Sequence, residues 1–377
     1  MRGRGAQAVD RRSRAGVEAE VRPQRASVTA VATGSWLLRG NDDRLAVYAL
    51  VEGGVHRWTE TAVGSGRWSR PYFFPADGLT GLAVAQGANR YAHFLGRREK
   101  RPGGAAPPKV DLLYAVQYQS GRTLGEWRSL GNPYRDPKDA ATLGVPTAAV
   151  DGQGTVHVFV SGGPGGVMLR RESKSGAWEA WKDLRGGAVA GGLTAAANSA
   201  GLVELLAPGN RSVMRWVQTE PGAVLRRAQD LMPAPVPGSA ALLETAPGVF
   251  TAYWSEQSGT GVYVQRPGEW AFPAGGAPGE GPHATLRATV DGYDCTLLAH
   301  QGRTGTAVLG VCGTGGESGG LWWTDTGVTC IGTPALALDG LGRVAMATVA
   351  ADGTVLVNRQ RPEPGLTLSD WDRLPGN

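Results

Sequence analysis

Residues 146–171, PTAAVDGQGTVHVFVSGGPGGVMLRR, align without a gap on residues 334–359, PALALDGLGRVAMATVAADGTVLVNR, with nine identities at an offset of 188, which is four periods of 47. A chain that repeats in this way has to fold as a series of equivalent units, each burying its faces against its neighbours. Weaker copies fill the intervals. SVTAVATG (27–34), TGLAVAQGAN (80–89), GLTAAANSAG (192–201), SAALLETAPG (239–248) and HATLRATVDG (283–292) each open a unit as PTAAVDGQG does. Two further strand-like runs follow each opening, and most units close on tryptophan: Trp68, Trp127, Trp178 with Trp181, Trp270, Trp322 with Trp323, and Trp371. Four-stranded antiparallel repeats of 40–50 residues, seven in number, predict an all-β fold, a seven-bladed β-propeller. Alanine crowds the opening strands (Ala83, Ala85, Ala148, Ala149, Ala195, Ala196), as expected where seven strands meet at an axis.

The third strands share a frame: GGVHRWT, GGVMLRR, RSVMRWV, TGVYVQR and GTVLVNR. With side chains alternating along a strand, Val55, Val167, Val213, Val262 and Val355 share one face. Trp58, Arg170, Trp216, Gln265 and Asn358, three residues on, share the other. This equivalent polar or aromatic position is where repeated ligand sites are expected.

Composition supports a packed, turn-rich body, with 58 Gly, 24 Pro and 12 Trp, and 41% hydrophobic residues. The formal charge is +5, but seven arginines fall in residues 1–26 against three acids. We therefore expect a basic, disordered tail over 1–26 and a single propeller over 27–377. Basic charge on a tail is no nucleic-acid footprint. No stretch has the apolar length of a membrane span and no signal peptide is recognisable, so the expectation is a soluble protein, cytoplasmic by default, with non-classical secretion or a misplaced start left open.

Asp151 could be read as a metal ligand, but DGQGT offers one acid where a calcium loop needs several, and Asp-Gly is a hairpin signal repeated at Asp291-Gly292 and Asp339-Gly340. GESGG (316–320) matches the nucleophile-elbow pattern around Ser318, yet lies between antiparallel strands. The five histidines have no metal-ligand spacing, and neither a metal nor a cofactor is expected. A two-residue hairpin at Arg303-Thr304 would pair Cys295 directly with Cys312, as packed thiols or a disulfide. The basic run GRREKRPGGAAPPK (96–109) reads as a long loop carrying Arg97, Arg98, Lys100 and Arg101, either solvated or a contact for an acidic partner.

PTAAVDGQGTVHVFV, the HRW of residues 56–58 and the WEAW of residues 178–181 together resemble the repeat of the bacterial seven-bladed fucose-binding lectins and their PLL-like relatives. That resemblance implies carbohydrate bound without catalysis in clefts between blades, by tryptophan faces and Arg or polar side chains. The candidates are Arg57, Trp58, Arg170, Trp178, Trp181, Arg215 and Trp216. Tryptophan on outer strands also packs blades together, and packing is favoured for Trp178, Trp181 and Trp371, with Trp58 and Trp216 evenly balanced. Two other functions remain open: a protein-interaction scaffold, and an enzyme with one site at the central channel.

Overall fold

The computed structural model describes residues 27–376 apart from 102, 104–106, 164, 174 and 260; the basic tail lies outside the described residues. Seven antiparallel sheets follow one another along the chain, a seven-bladed propeller. The third blade shows the pattern: Thr147–Val150 pairs with Val156–Gly162, which pairs with Gly166–Arg171, which pairs with Lys182–Asp183. Leu79–Gln86, Thr147–Val150, Thr194–Ala197, Ala241–Ala246, Ala284–Val290 and Ala335–Leu338 are innermost in blades two to seven. The third-strand valines Val55, Val167, Val213, Val262 and Val355 are all buried. Buried apolar side chains gather in clusters between blades, such as Phe159, Leu169, Leu205 and Trp216 between the third and fourth. Outer strands are only two residues long in blades three, four, five and seven, and most of the closing tryptophans precede them. Short edges leave little unpaired backbone for another chain to join.

The first blade departs from the simple repeat. SVTAVATG reads as one strand, but the inner edge is split into Val28–Ala30 and Leu37–Arg39, and between them Thr33–Gly34 crosses to pair in parallel with Leu79–Gln86 of the second blade. Gly34 permits the crossing: its φ is +74°, and a Cβ there would sit 2.3 Å from the Val84 carbonyl oxygen.

Among the described residues no strand is exchanged between the first and seventh sheets; a backbone bond from Val28 N–H to the Gly353 carbonyl at 3.4 Å joins them, and side chains add further links. Trp58 Nε1 donates to the Pro375 carbonyl at 2.9 Å, and Arg343 donates to the Gly64 carbonyl at 2.8 Å. Arg359 pairs with the fully buried Glu60 at 2.6 Å and lies 3.6 Å from the equally buried Asp339.

Two expectations about loops are corrected. The hairpin at Gln301 has three residues between Gly302 and Thr306, with Gly302 N–H donating to Thr306, so the register shifts by one. Cys295 faces Gly313, Cys312 faces Thr296, and the two thiols point to opposite sides of the sheet. All three cysteines are free. The basic run is not all loop: Ala92–Lys100 pairs with Lys109–Gln117, which puts Arg97, Arg98 and Lys100 on a strand. Its three arginines are engaged: Arg97 with Glu99 at 2.9 Å, Arg98 with Asp111 at 2.5 Å, and Arg101 with Glu99 at 2.9 Å.

Asp151 opens a five-residue turn, not a two-residue one, and positive φ falls on Gly154. Asp291, at φ 51°, does form the short hairpin. Asp151 is buried and saturated: Oδ1 accepts from the N–H groups of Gln153 and Thr155, and Oδ2 from His157 Nε2 at 2.9 Å and Gly222 N–H at 3.0 Å. Gly222 belongs to the fourth blade, so the turn residue also pins its neighbour. Asp291 does the same to Gly365 of the seventh blade. Burial pushes the Asp151 carboxyl up, but the bonds from His157, Thr155 and Gln153 bring it below its ordinary value of 3.8. A carboxyl depressed on folding stabilises above its unfolded pKa, and that contribution fades as pH falls through the folded value. Urea titrations of wild type and Asp151→Asn should therefore differ by a constant amount at neutral pH and converge below about pH 3.8; a gap unchanged down to pH 2 would contradict this assignment.

Candidate functional site

Four indoles act as plugs between blades. Trp58, Trp181, Trp216 and Trp323 donate from Nε1 to carbonyls of the preceding blade: Pro375, Leu130, Leu184 and Ala274, at 2.9, 3.1, 3.2 and 3.0 Å. Trp58 and Trp216 hold the equivalent third-strand position. In the fifth blade that position is Gln265, and an open cleft lies there, between the fourth and fifth blades. Gln265 turns its amide N–H to the Glu269 carbonyl at 2.9 Å, leaving Oε1 without a partner.

The cleft has a volume of about 280 Å³. Leu231, Phe250 and Ala252 form its apolar base. One wall carries Arg215, locked onto Glu204 by paired bonds of 2.6 and 2.8 Å. The other carries Arg266, ion-paired to the fully buried Glu317 of the sixth blade. Trp270, 91% exposed, stands at the mouth beside Met232. An exposed aromatic face with no ring or cation contact among the described residues, next to fixed guanidinium and carboxylate groups, matches what a ligand with one apolar face and several hydroxyls requires.

Of the seven sequence candidates, only Arg215 lines this cleft. Arg57 is buried, bonded to the Gly121 carbonyl at 3.2 Å and to the Arg122 carbonyl, with its guanidinium 5.3 Å from the Tyr72 and Phe74 rings. Arg57 therefore faces the second blade while Trp58 faces the seventh, and the two do not form one site. Arg170 and Trp181 share the Leu130 carbonyl, and Trp178 packs edge-on against Tyr114 at 5.0 Å. Trp216 is 1% exposed, with Arg227 4.7 Å above its ring. The sequence reading passed over Trp270, Arg266 and Glu204. Nothing in the third-strand frame singled them out, since the position of Gln265 is Trp only in the first and fourth blades and is Arg170 in the third and Asn358 in the seventh.

The central channel holds a cavity of about 680 Å³ among blades one to four, walled largely by Ala and Gly, including Gly34, Ala83, Ala85 and Ala195–Ala197. Its acid, Asp151, is consumed by the four bonds described above. Ser318 is exposed on a single 3-10 turn, Glu317–Gly319. All five histidines are buried, and His283 and His300 are brought within 5.3 Å, where burial holds both well below the ordinary imidazole value.

No family model and no curated protein sequence matches the chain. Solved structures match it in fold. The PL25 ulvan lyase structure bound to -[GlcA(1-4)Rha3S]- has a TM-score of 0.51 at 12% identity, over 92% of this chain and 96% of that one. AofleA from Arthrobotrys oligospora has a TM-score of 0.50 at 12% identity, over 76% and 85%. The Hadza microbial sialidase Hz136 has a TM-score of 0.51 at 12% identity, over 82% and 71%. At such identity the likeness is one of fold, and the chemistry of this chain has to be read from its own residues.

Proposed function

We propose that the protein is a lectin-like propeller that binds carbohydrate without catalysis in the cleft between its fourth and fifth blades. The observation that carries the proposal is the missing indole plug at Gln265 together with the solvent-facing ring of Trp270. A sugar ring stacks its C–H face on Trp270, while Arg215 and Glu204 hydrogen-bond its hydroxyls. The PLL-like repeat points to the same ligand class and the same kind of cleft, and two of the fold neighbours are named as a polysaccharide lyase and a sialidase. The channel supports an enzyme less well, since its wall presents Ala and Gly and its one acid is spent.

A glycan array followed by calorimetry tests the proposal. We expect at least one glycan to bind, and Trp270→Ala to weaken it by about tenfold or more, ~1.4 kcal/mol, with an unchanged thermal midpoint. Failure to bind any glycan at high protein concentration, or binding untouched by Trp270→Ala and Arg215→Met together, would sink it.

A further inference from the structure

A second cavity, of about 310 Å³, lies between the second and third blades and contains none of the residues of the cleft just described. Its walls are aromatic. Tyr91 and Tyr118 meet at 86° with ring centres 5.1 Å apart, and Tyr114 and Trp178 meet at 72° and 5.0 Å. Perpendicular pairs make corners, so the cavity is bounded by ring faces as well as edges.

The polar groups are few. Glu172 is half-buried, and its carboxylate makes no side-chain hydrogen bond or ion pair among the described residues. Burial raises it above the usual carboxylate range, with the charge of Arg128 opposing the rise. Arg128 and Glu126 are exposed at the rim. His93 is buried and held near 4, hence neutral at physiological pH; Nδ1 bonds to the Tyr114 hydroxyl at 2.9 Å, and Nε2 has no partner.

We infer that this cavity binds a small N-methylated ammonium cation, with Tyr91, Tyr114, Tyr118 and Trp178 around the methyl groups and Glu172 as counter-ion. The electron-rich faces of aromatic rings attract cations, most strongly where water is excluded. A primary ammonium would need acceptors for three N–H bonds; the ring faces supply none, and acceptors are confined to Glu172, the tyrosine hydroxyls and His93 Nε2. A methylated one asks only for apolar contact and a nearby negative charge, which is what the rings and Glu172 offer. The unpartnered His93 nitrogen leaves one place for a hydroxyl on the ligand.

Choline and its uncharged isostere 3,3-dimethylbutan-1-ol, titrated by calorimetry into the full chain, separate charge from shape. We expect saturable choline binding at least tenfold tighter than that of the isostere. Glu172→Gln should lower the choline affinity tenfold or more and leave the isostere unchanged, and Tyr118→Ala, at an exposed ring, should weaken both. Phosphatidylcholine vesicles run in parallel tell a lipid headgroup from a soluble cation: binding of both assigns the headgroup, and binding of choline alone the free ammonium. Equal affinities for choline and the isostere, no saturable choline binding, or choline binding indifferent to Glu172→Gln and Tyr118→Ala would overturn the inference. Choline binding that survives Trp270→Ala keeps this site separate from the carbohydrate cleft, and its loss in that variant would likewise overturn the assignment.

Discussion

Arg359→Met should lower the unfolding free energy by about 3–5 kcal/mol, read as a fall in the urea midpoint at unchanged slope. Arg359 lies 2.6 Å from Glu60 and 3.6 Å from Asp339, and both carboxylates are fully buried. Glu60 also accepts the N–H groups of Leu45 and Gly66, so it cannot swing out to water without breaking the first blade. Removing the cation leaves that charge desolvated and unpaired, which costs more than the pair itself contributes. Asp339 keeps Arg343 at 2.7 Å, so the loss should fall mainly on Glu60. Glu60→Gln in the same chain should then recover much of the deficit. A loss below 1 kcal/mol for Arg359→Met, or no recovery in the double variant, would show that the ring is closed by backbone and apolar contacts alone. The effect is expected here because, among the described residues, side chains and one backbone bond, and no exchanged strand, join the last blade to the first.

Trp216→Ala should cost about 3–5 kcal/mol, the range for deleting a large buried aromatic. The indole sits in the cluster with Phe159, Leu169 and Leu205 and ties the fourth blade to the Leu184 carbonyl. Trp216→Phe should cost about 1 kcal/mol for the lost N–H bond, plus a smaller packing loss. Trp270→Ala, on an exposed ring, should stay within about 0.5 kcal/mol of wild type. The pair of alanine variants, compared by urea denaturation, separates a structural tryptophan from a ligand-facing one. Equal destabilisation by the two would refute that division.

The repeat made most of the architecture legible. The Val55, Val167, Val213, Val262 and Val355 frame showed which residues share a face of the third strand, because alternation along a strand is a local property, but not which face is buried, and in the first and seventh blades both are. The same frame marked Trp58 and Trp216 as equivalent, but not as plugs, since a plug is defined by the carbonyl it meets in another blade. The cysteine pairing failed for a related reason. One additional loop residue, Gly305 at φ 80°, moves every partner in the hairpin by one place and sends Cys295 and Cys312 to opposite faces. Asp151 was correctly placed at a turn, while its bond to Gly222, 71 residues away, could not be seen along the chain.

By itself, then, the sequence determined the number of blades, their order and which third-strand residues share a face, because periodicity is carried by residues close along the chain. The tertiary structure decided which tryptophans fill the gaps between blades and that Trp270 and Trp322 face water, where the ring closes, and where cavities stay open. Those outcomes depend on pairs of residues in neighbouring blades, at separations where no local pattern constrains one by the other, and no pattern along the strand marks the gap that stays open.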